Sequence, residues 1–387
     1  MPSPSEVATT TIRLTSLDAF AFRGPIDEPI KVAFGTFEDR PCVLVRAVDA
    51  DGTEGWGEVW CNWPQVGAEH RARLVNEVIA PRLLGTEFAG PEALFDALER
   101  DLEVLVLQTG EIGPFAQAIA GIDIALWDLV ARRAGVPLYR MLGAAPVESV
   151  PVYATAINPD GAGKAAAEFH RRGHRAFKLK IGFGREVDVR NISAVRDAVG
   201  DCAFMVDANQ KWDLRTAIDT ARAAEPYRLD WLEEPMRVDT PAAQWRELAD
   251  ATSIPLAGGE NVRGEDFDGV LALGALRVVQ PDVTKWGGIS GNVRVVRKVR
   301  DAGRRFCPHY FAGGVGLLAS LHLMAAFDSG SVLEFDPHPN AMRDLVIGSL
   351  LPVTDGRVPV PREPGLGIVP DLAALEPYRT WPRRSAG

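Results

Sequence analysis

Seven residues able to do acid–base or metal chemistry each close a short apolar run: Lys180, Asp207, Glu233, Glu260, Asp282, His309 and Glu334. Successive members lie about 22–27 residues apart, roughly one strand-plus-helix unit of a (β/α) barrel. Such a barrel gathers the C-terminal ends of its strands into one mouth. Residues spread over about 150 positions are therefore expected to meet in one pocket.

Three of the seven, Asp207, Glu233 and Glu260, are carboxylates at the ends of consecutive strands. Brought together they repel one another unless a cation lies among them. All-oxygen ligation suits a hard ion such as Mg²⁺, and the trio contains no His or Cys to favour zinc. Any one of them alone reads equally well as a helix cap or surface turn. Glu234, one position along from Glu233, is expected to point the other way and to be structural. In Phe177-Lys178-Leu179-Lys180-Ile181 the two lysines share a face that a barrel would turn inward. The competing reading is a solvated strand face. Asp282 and His309 end the next two strands, and a carboxylate beside a histidine prepares it as a general base. His70, His170, His174 and His322 fall in helical or loop contexts; His338 is a weaker candidate for lining the pocket.

The elements that must position these groups follow from periodicity. From Val150 the runs 150–156, 176–181, 203–207, 229–233, 253–258, 276–281, 305–309 and 331–335 read as strands. The stretches between them read as helices, as in Gly291 to Ala302 and Leu317 to Phe327. This alternation predicts parallel strands with helical crossovers, and eight strands favour a closed barrel. The preceding part reads as α+β. Thr11 to Phe22 and Cys42 to Ala50 are expected strands, with Asp51-Gly52 a hairpin turn before Glu54. Helices are expected over 68–83, 91–107 and 115–133. The tail from Pro352, rich in Pro and Gly, is expected to return across the first domain.

Composition narrows the class. Of 387 residues 47% are apolar and 24% charged, a globular balance with length for two domains. The net charge of −10, with no dense Lys/Arg run, speaks against nucleic-acid binding. Cys42, Cys61, Cys202 and Cys307 lack metal-site spacing and read as free thiols in a reducing, cytoplasmic setting. Met1-Pro2-Ser3-Pro4-Ser5 lacks the pattern of a secretory signal, and no membrane span is expected.

Taken together, the chain resembles the enolase superfamily, in its mandelate racemase / muconate lactonizing enzyme type. The resemblance rests on Gly121-Ile122-Asp123-Ile124-Ala125-Leu126-Trp127-Asp128, Lys178-x-Lys180, the Asp/Glu/Glu trio, Gln280-Pro281-Asp282, His309 and Leu333-Glu334-Phe335. It implies an α/β fold: an α+β capping domain (1–140), a (β/α)7β modified TIM barrel (141–351) and a C-terminal segment (352–387) returning to the cap. It also implies that Mg²⁺ on Asp207, Glu233 and Glu260 holds a substrate carboxylate, a base removes the α-proton, and the metal stabilises the enediolate. Lys180 would be one base and His309, oriented by Asp282, the other base or the acid. Lys178 would neutralise the substrate carboxylate, Glu334 would bond the intermediate, and Asn209 would contact substrate. A neighbouring Lys178 and a cation are expected to lower the pKa of Lys180.

Substrate choice is expected in the cap, in Gly24 to Thr36 and in Trp60-Cys61-Asn62-Trp63, where Trp60 and Trp63 read equally as substrate contacts or as packing. The leading expectation is dehydration of an acid sugar to a 2-keto-3-deoxy acid. Racemisation or epimerisation of a 2-hydroxy acid and lactone cycloisomerisation are alternatives. A non-catalytic binding protein on the same scaffold is the reading from another class. The expected partners are a small carboxylate substrate and further copies of the chain.

Overall fold

The computed structural model describes residues 11–327 and 330–382; the Met1–Ser5 stretch, read above as lacking a signal, lies outside them. Strands β1 (Ile12–Val32) and β2 (Gly35–Asp49) form a long antiparallel hairpin, and β3 (Glu54–Val59) pairs with β2. The expected loop at Gly24 to Thr36 is instead the outer half of this hairpin. A register shift between Pro25 and Ile30 absorbs the irregular Gly-Pro stretch, and pairing resumes beyond it.

Helices α1 (Gly67–Arg73), α2 (Pro91–Thr109) and α3 (Ile112–Arg133) cover this sheet. By length and composition α3 is apolar enough to cross a membrane, although no such span is expected from the sequence. Yet 94% of its most apolar window is buried inside the protein. The cap sheet packs on one side of α3 and the barrel on another, so its apolar surface is used nearly all round. Contact with β3 is very close: a Cβ on Gly57 would lie 1.9 Å from the Gly121 carbonyl oxygen, and one on Gly55 2.1 Å from that of Ala125. Gly57→Ala should therefore destabilise the protein by about 3 kcal/mol, with loss of several degrees in Tm. An unchanged melting midpoint would show that the helix can simply move away.

The barrel strands are β4 (Ser149–Ile157), β5 (Ala176–Lys180), β6 (Ala203–Asp207) and β7 (Trp231–Glu233), then β8 (Leu256–Gly258), β9 (Leu276–Val279), β10 (Arg305–Phe306) and β11 (Leu333–Phe335). A helix follows each of the first seven, the last two being α9 (Gly288–Asp301) and α10 (Gly314–Ala326) when all seven are numbered from α4 (Ala162–Arg171). All neighbours pair in parallel, and β11 returns to pair with β4. Among the described residues, only the β10–β11 junction lacks a ladder. This is the (β/α)7β barrel with its α+β cap.

Side-chain alternation organises its interior. Ala176, Met205, Trp231, Ala257, Val278 and Cys307, with Tyr153, pack as an apolar floor. Asp207, Glu233 and His309 each stand two residues beyond a floor residue, at the level of the mouth with Lys180, while Lys178 lies level with Met205.

Two buried acids of the cap join it to the barrel, and a third, Asp128, joins it to the returning tail. Asp123 accepts from Ile289 N (2.7 Å), Ser290 N (2.9 Å) and Ser290 Oγ (2.5 Å) at the start of α9. Glu58 accepts from Gly313 N and Gly316 N at the start of α10. Asp128 accepts from Trp56 N (2.8 Å) and Leu366 N (2.6 Å). Two of these carboxylates thus sit at helix N-termini, where unpaired N–H groups and the helix dipole favour negative charge. The tail adds β12 (Arg357–Pro359), antiparallel to β4, and β13 (Arg379–Trp381), antiparallel to β1.

Candidate active site

Register places Lys180, Asp207 and Glu233 in one row across β5, β6 and β7. Lys180 Nζ donates to Asp207 Oδ2 at 2.5 Å. One strand position deeper, Lys178 Nζ lies 2.7 Å from Glu233 Oε1 and 2.8 Å from Glu334 Oε1. Glu233 Oε2 accepts from Gln280 Nε2 (2.7 Å) and Trp231 Nε1 (3.1 Å). Glu334 also accepts from Thr155 Oγ1 (2.5 Å) and Tyr310 N (3.0 Å), so the last strand is tied to the first two.

His309 is held from both sides of its ring. Nδ1 lies 2.6 Å from Asp282 Oδ2 and Nε2 3.0 Å from Glu260 Oε2. Asp282 Oδ1 is itself fixed by Thr284 N (2.7 Å) and Thr284 Oγ1 (2.6 Å). Burial disfavours the imidazolium, but Glu260, Glu334 and Asp282 outweigh it and lift the pKa of His309 to about 9.

Above these groups lies a cavity of about 270 Å³ between barrel and cap. Lys180, Asn209, Glu260, His309 and Glu334 line it from the barrel. Val32, Phe34, Phe37, Trp60 and Trp63 line it from the cap. Trp63 lines the cavity and packs on Phe37 with ring centroids 4.8 Å apart. Lys178, Asp207, Glu233 and Asp282 lie beneath this surface, each buried against a partner. His338 is bonded to Asp336 (2.8 Å) and is not among the cavity's lining residues.

Three findings depart from the sequence reading. Glu234 does not turn away: its φ of +40° folds it back, and it lines the cavity with Oε1 accepting from Asn261 Nδ2 at 2.8 Å. Burial, with Glu260 and Asp207 nearby, raises its pKa well above the usual carboxylate range. The pKa of Lys180 is raised, not lowered. Burial, the largest cause, and Lys178 pull it down, but Asp207 and Glu233 together outweigh them. Lys285 was missed entirely. Its Nζ bonds Glu260 Oε2 (2.7 Å) and Asn261 Oδ1 (3.0 Å) and stands 4.6 Å from the Trp60 ring centroid. Asp282-x-x-Lys285, on the turn into α9, was the available signal.

As placed, Asp207, Glu233 and Glu260 each face a lysine, and no three His, Cys or carboxylate groups among the described residues converge as a ligand set. The donors nevertheless suit a hard divalent ion. They are all oxygen, they end adjacent strands, and the buried Asn209 Oδ1 beside them has no hydrogen-bond partner. Holding an ion requires the carboxylates to turn from the lysines.

The family model "Enolase C-terminal domain-like" matches residues 162–374, and "Mandelate racemase / muconate lactonizing enzyme, N-terminal domain" matches 16–143. The chain is 34% identical to D-galactarolactone cycloisomerase of Agrobacterium fabrum, over 95% of this chain and 99% of that one. A mandelate racemase/muconate lactonizing enzyme structure from Bordetella bronchiseptica is 49% identical with a TM-score of 0.90, covering 95% of this chain and 100% of that one. An enolase from Bradyrhizobium, complexed with magnesium and mandelic acid, is 27% identical with a TM-score of 0.84, covering 96% and 99%. Other relatives carry the names of dehydratases, racemases and epimerases. The barrel, its cap and both family matches make this chain an enzyme of the enolase superfamily, of the mandelate racemase / muconate lactonizing enzyme type.

Proposed function

We propose that the protein removes the proton α to the carboxylate of an acid sugar and expels the β-hydroxyl, giving a 2-keto-3-deoxy acid. The observation that carries this reading is that Lys180 and His309 both line one cavity, from strands separated around the barrel. One can take the α-proton while the other delivers a proton to the departing hydroxyl. The resulting enol tautomerises to the keto acid. Asp207, Glu233 and Glu260 would hold Mg²⁺, which when bound draws charge from the substrate carboxylate as the α-proton leaves. Lys180 keeps its proton while Asp207 faces it, and acts as a base once that carboxylate turns away. Asp282 fixes which ring nitrogen of His309 is free to exchange a proton with substrate.

The test is a panel of acid sugars with Mg²⁺ in D₂O, followed by NMR for keto acids and for deuterium at C2. Inversion at C2 with no keto acid from any substrate would overturn dehydration in favour of racemisation. One observation favours that second reading: the cap side of the cavity is mostly aromatic, a wall suited to an apolar substituent.

Asp282→Asn should lower turnover about 10²–10⁴-fold. The sign of its pH effect is fixed. Carboxylates raise the pKa of His309, so removing one charge moves the His309 limb of the pH–rate profile to lower pH. An unmoved limb would separate Asp282 from the reaction.

A further inference from the structure

Beyond Lys285 a second recess, of about 290 Å³, adjoins the reaction cavity and shares Gln210, Glu260, Asn261 and Lys285 with it. Its remaining lining is Gln117, Val238 and Arg263, so Val238 is its one apolar lining residue. The donors there outnumber the free acceptors. Gln117 Oε1 is taken by Arg71 Nε (2.6 Å) and Gln210 Oε1 by Val238 N (3.0 Å), which leaves each amide its NH₂ end. Arg263 is half-buried and makes no ion pair or side-chain hydrogen bond among the described residues. It lies within electrostatic range of Glu99 but is not paired with it. The acid in the lining, Glu260, is already engaged by Lys285 (2.7 Å) and His309 (3.0 Å).

We propose that this recess binds the end of the substrate remote from the reacting carboxylate, and that this end is a second carboxylate. The inference rests on the α-proton reading above and narrows it from acid sugars in general to sugar diacids. A guanidinium offers a planar fork of N–H donors that matches a carboxylate, and two amide NH₂ groups extend that donor surface. A terminal CH₂OH brings no charge to meet the guanidinium.

The test compares six-carbon aldarates with the aldonates of the same configuration, such as galactarate with galactonate. Binding to the full-length protein with Mg²⁺ is measured by calorimetry, and α-proton exchange in D₂O is followed in parallel. At least one aldarate should bind about tenfold or more tightly than its aldonate. Arg263→Ala should weaken that aldarate about 10–100-fold and leave the aldonate unchanged, while Arg263→Lys recovers part of the loss. Equal affinity for both acids of every pair, no binding of any aldarate, or equal weakening of both acids in Arg263→Ala would overturn the subsite. Exchange confined to aldonates would overturn it while upholding the reaction. Tight, Arg263-dependent aldarate binding without exchange of any α-proton would uphold the subsite and overturn the reaction.

Discussion

Alanine in place of either Lys180 or His309 should reduce keto-acid formation by at least about 10²–10⁴-fold, the usual contribution of a positioned acid or base. The two losses should differ in kind. The variant lacking the base stops washing deuterium into the α-position; the variant lacking the acid still exchanges that proton but cannot expel the hydroxyl. Both side chains line the cavity and neither belongs to the apolar floor, so the fold should survive. Lys180→Met, which keeps the aliphatic stem, guards against a packing artefact. The measurement is product formation beside α-proton exchange, with circular dichroism as the control for folding. Wild-type turnover in both variants would remove these residues from the reaction.

The largest effect on stability is expected at Asp123. Alanine there leaves Ile289 N, Ser290 N and Ser290 Oγ without their acceptor in a fully buried place. Each unsatisfied buried donor costs about 1–3 kcal/mol, so Asp123→Ala should cost about 3–5 kcal/mol in denaturant unfolding. Asp123→Asn should cost less, because a carboxamide oxygen still accepts. A Gly288 side chain would probe the same contact, since its Cβ would lie 2.4 Å from Asp123 Oδ2. An Asp123→Ala protein within 1 kcal/mol of wild type, roughly the error of such measurements, would mean that water reaches these groups.

The strand ends were legible because two periods coincide there. The unit length fixes where each strand stops, and alternation fixes which residue faces inward. Lys178, Lys180, Asp207, Glu233 and His309 obey both. Glu234 breaks the second, because alternation lapses once the strand has ended and φ turns positive. Lys285 and Arg263 obey neither. They stand on turns, and only the folded chain brings them to the cavities. The cap hairpin was obscured for a different reason. Gly24-Pro25 and Pro29 are loop-like in composition, and pairing across them depends on a register shift that no local pattern announces.

The return of β11 to β4 has a consequence for how the molecule is made. Until Leu333–Phe335 is available, one edge of β4 has no partner from the barrel's last strand, and an open edge invites pairing with other chains. The same three residues carry Glu334, which joins Thr155, Lys178 and the Tyr310 amide. Closing the ring and completing the reaction chamber are thus one event, separated from the first barrel strand by most of the domain's sequence. Contacts so distant along the chain form slowly. A nascent or truncated polypeptide ending before this strand should therefore be both prone to self-association and unable to act on any metabolite.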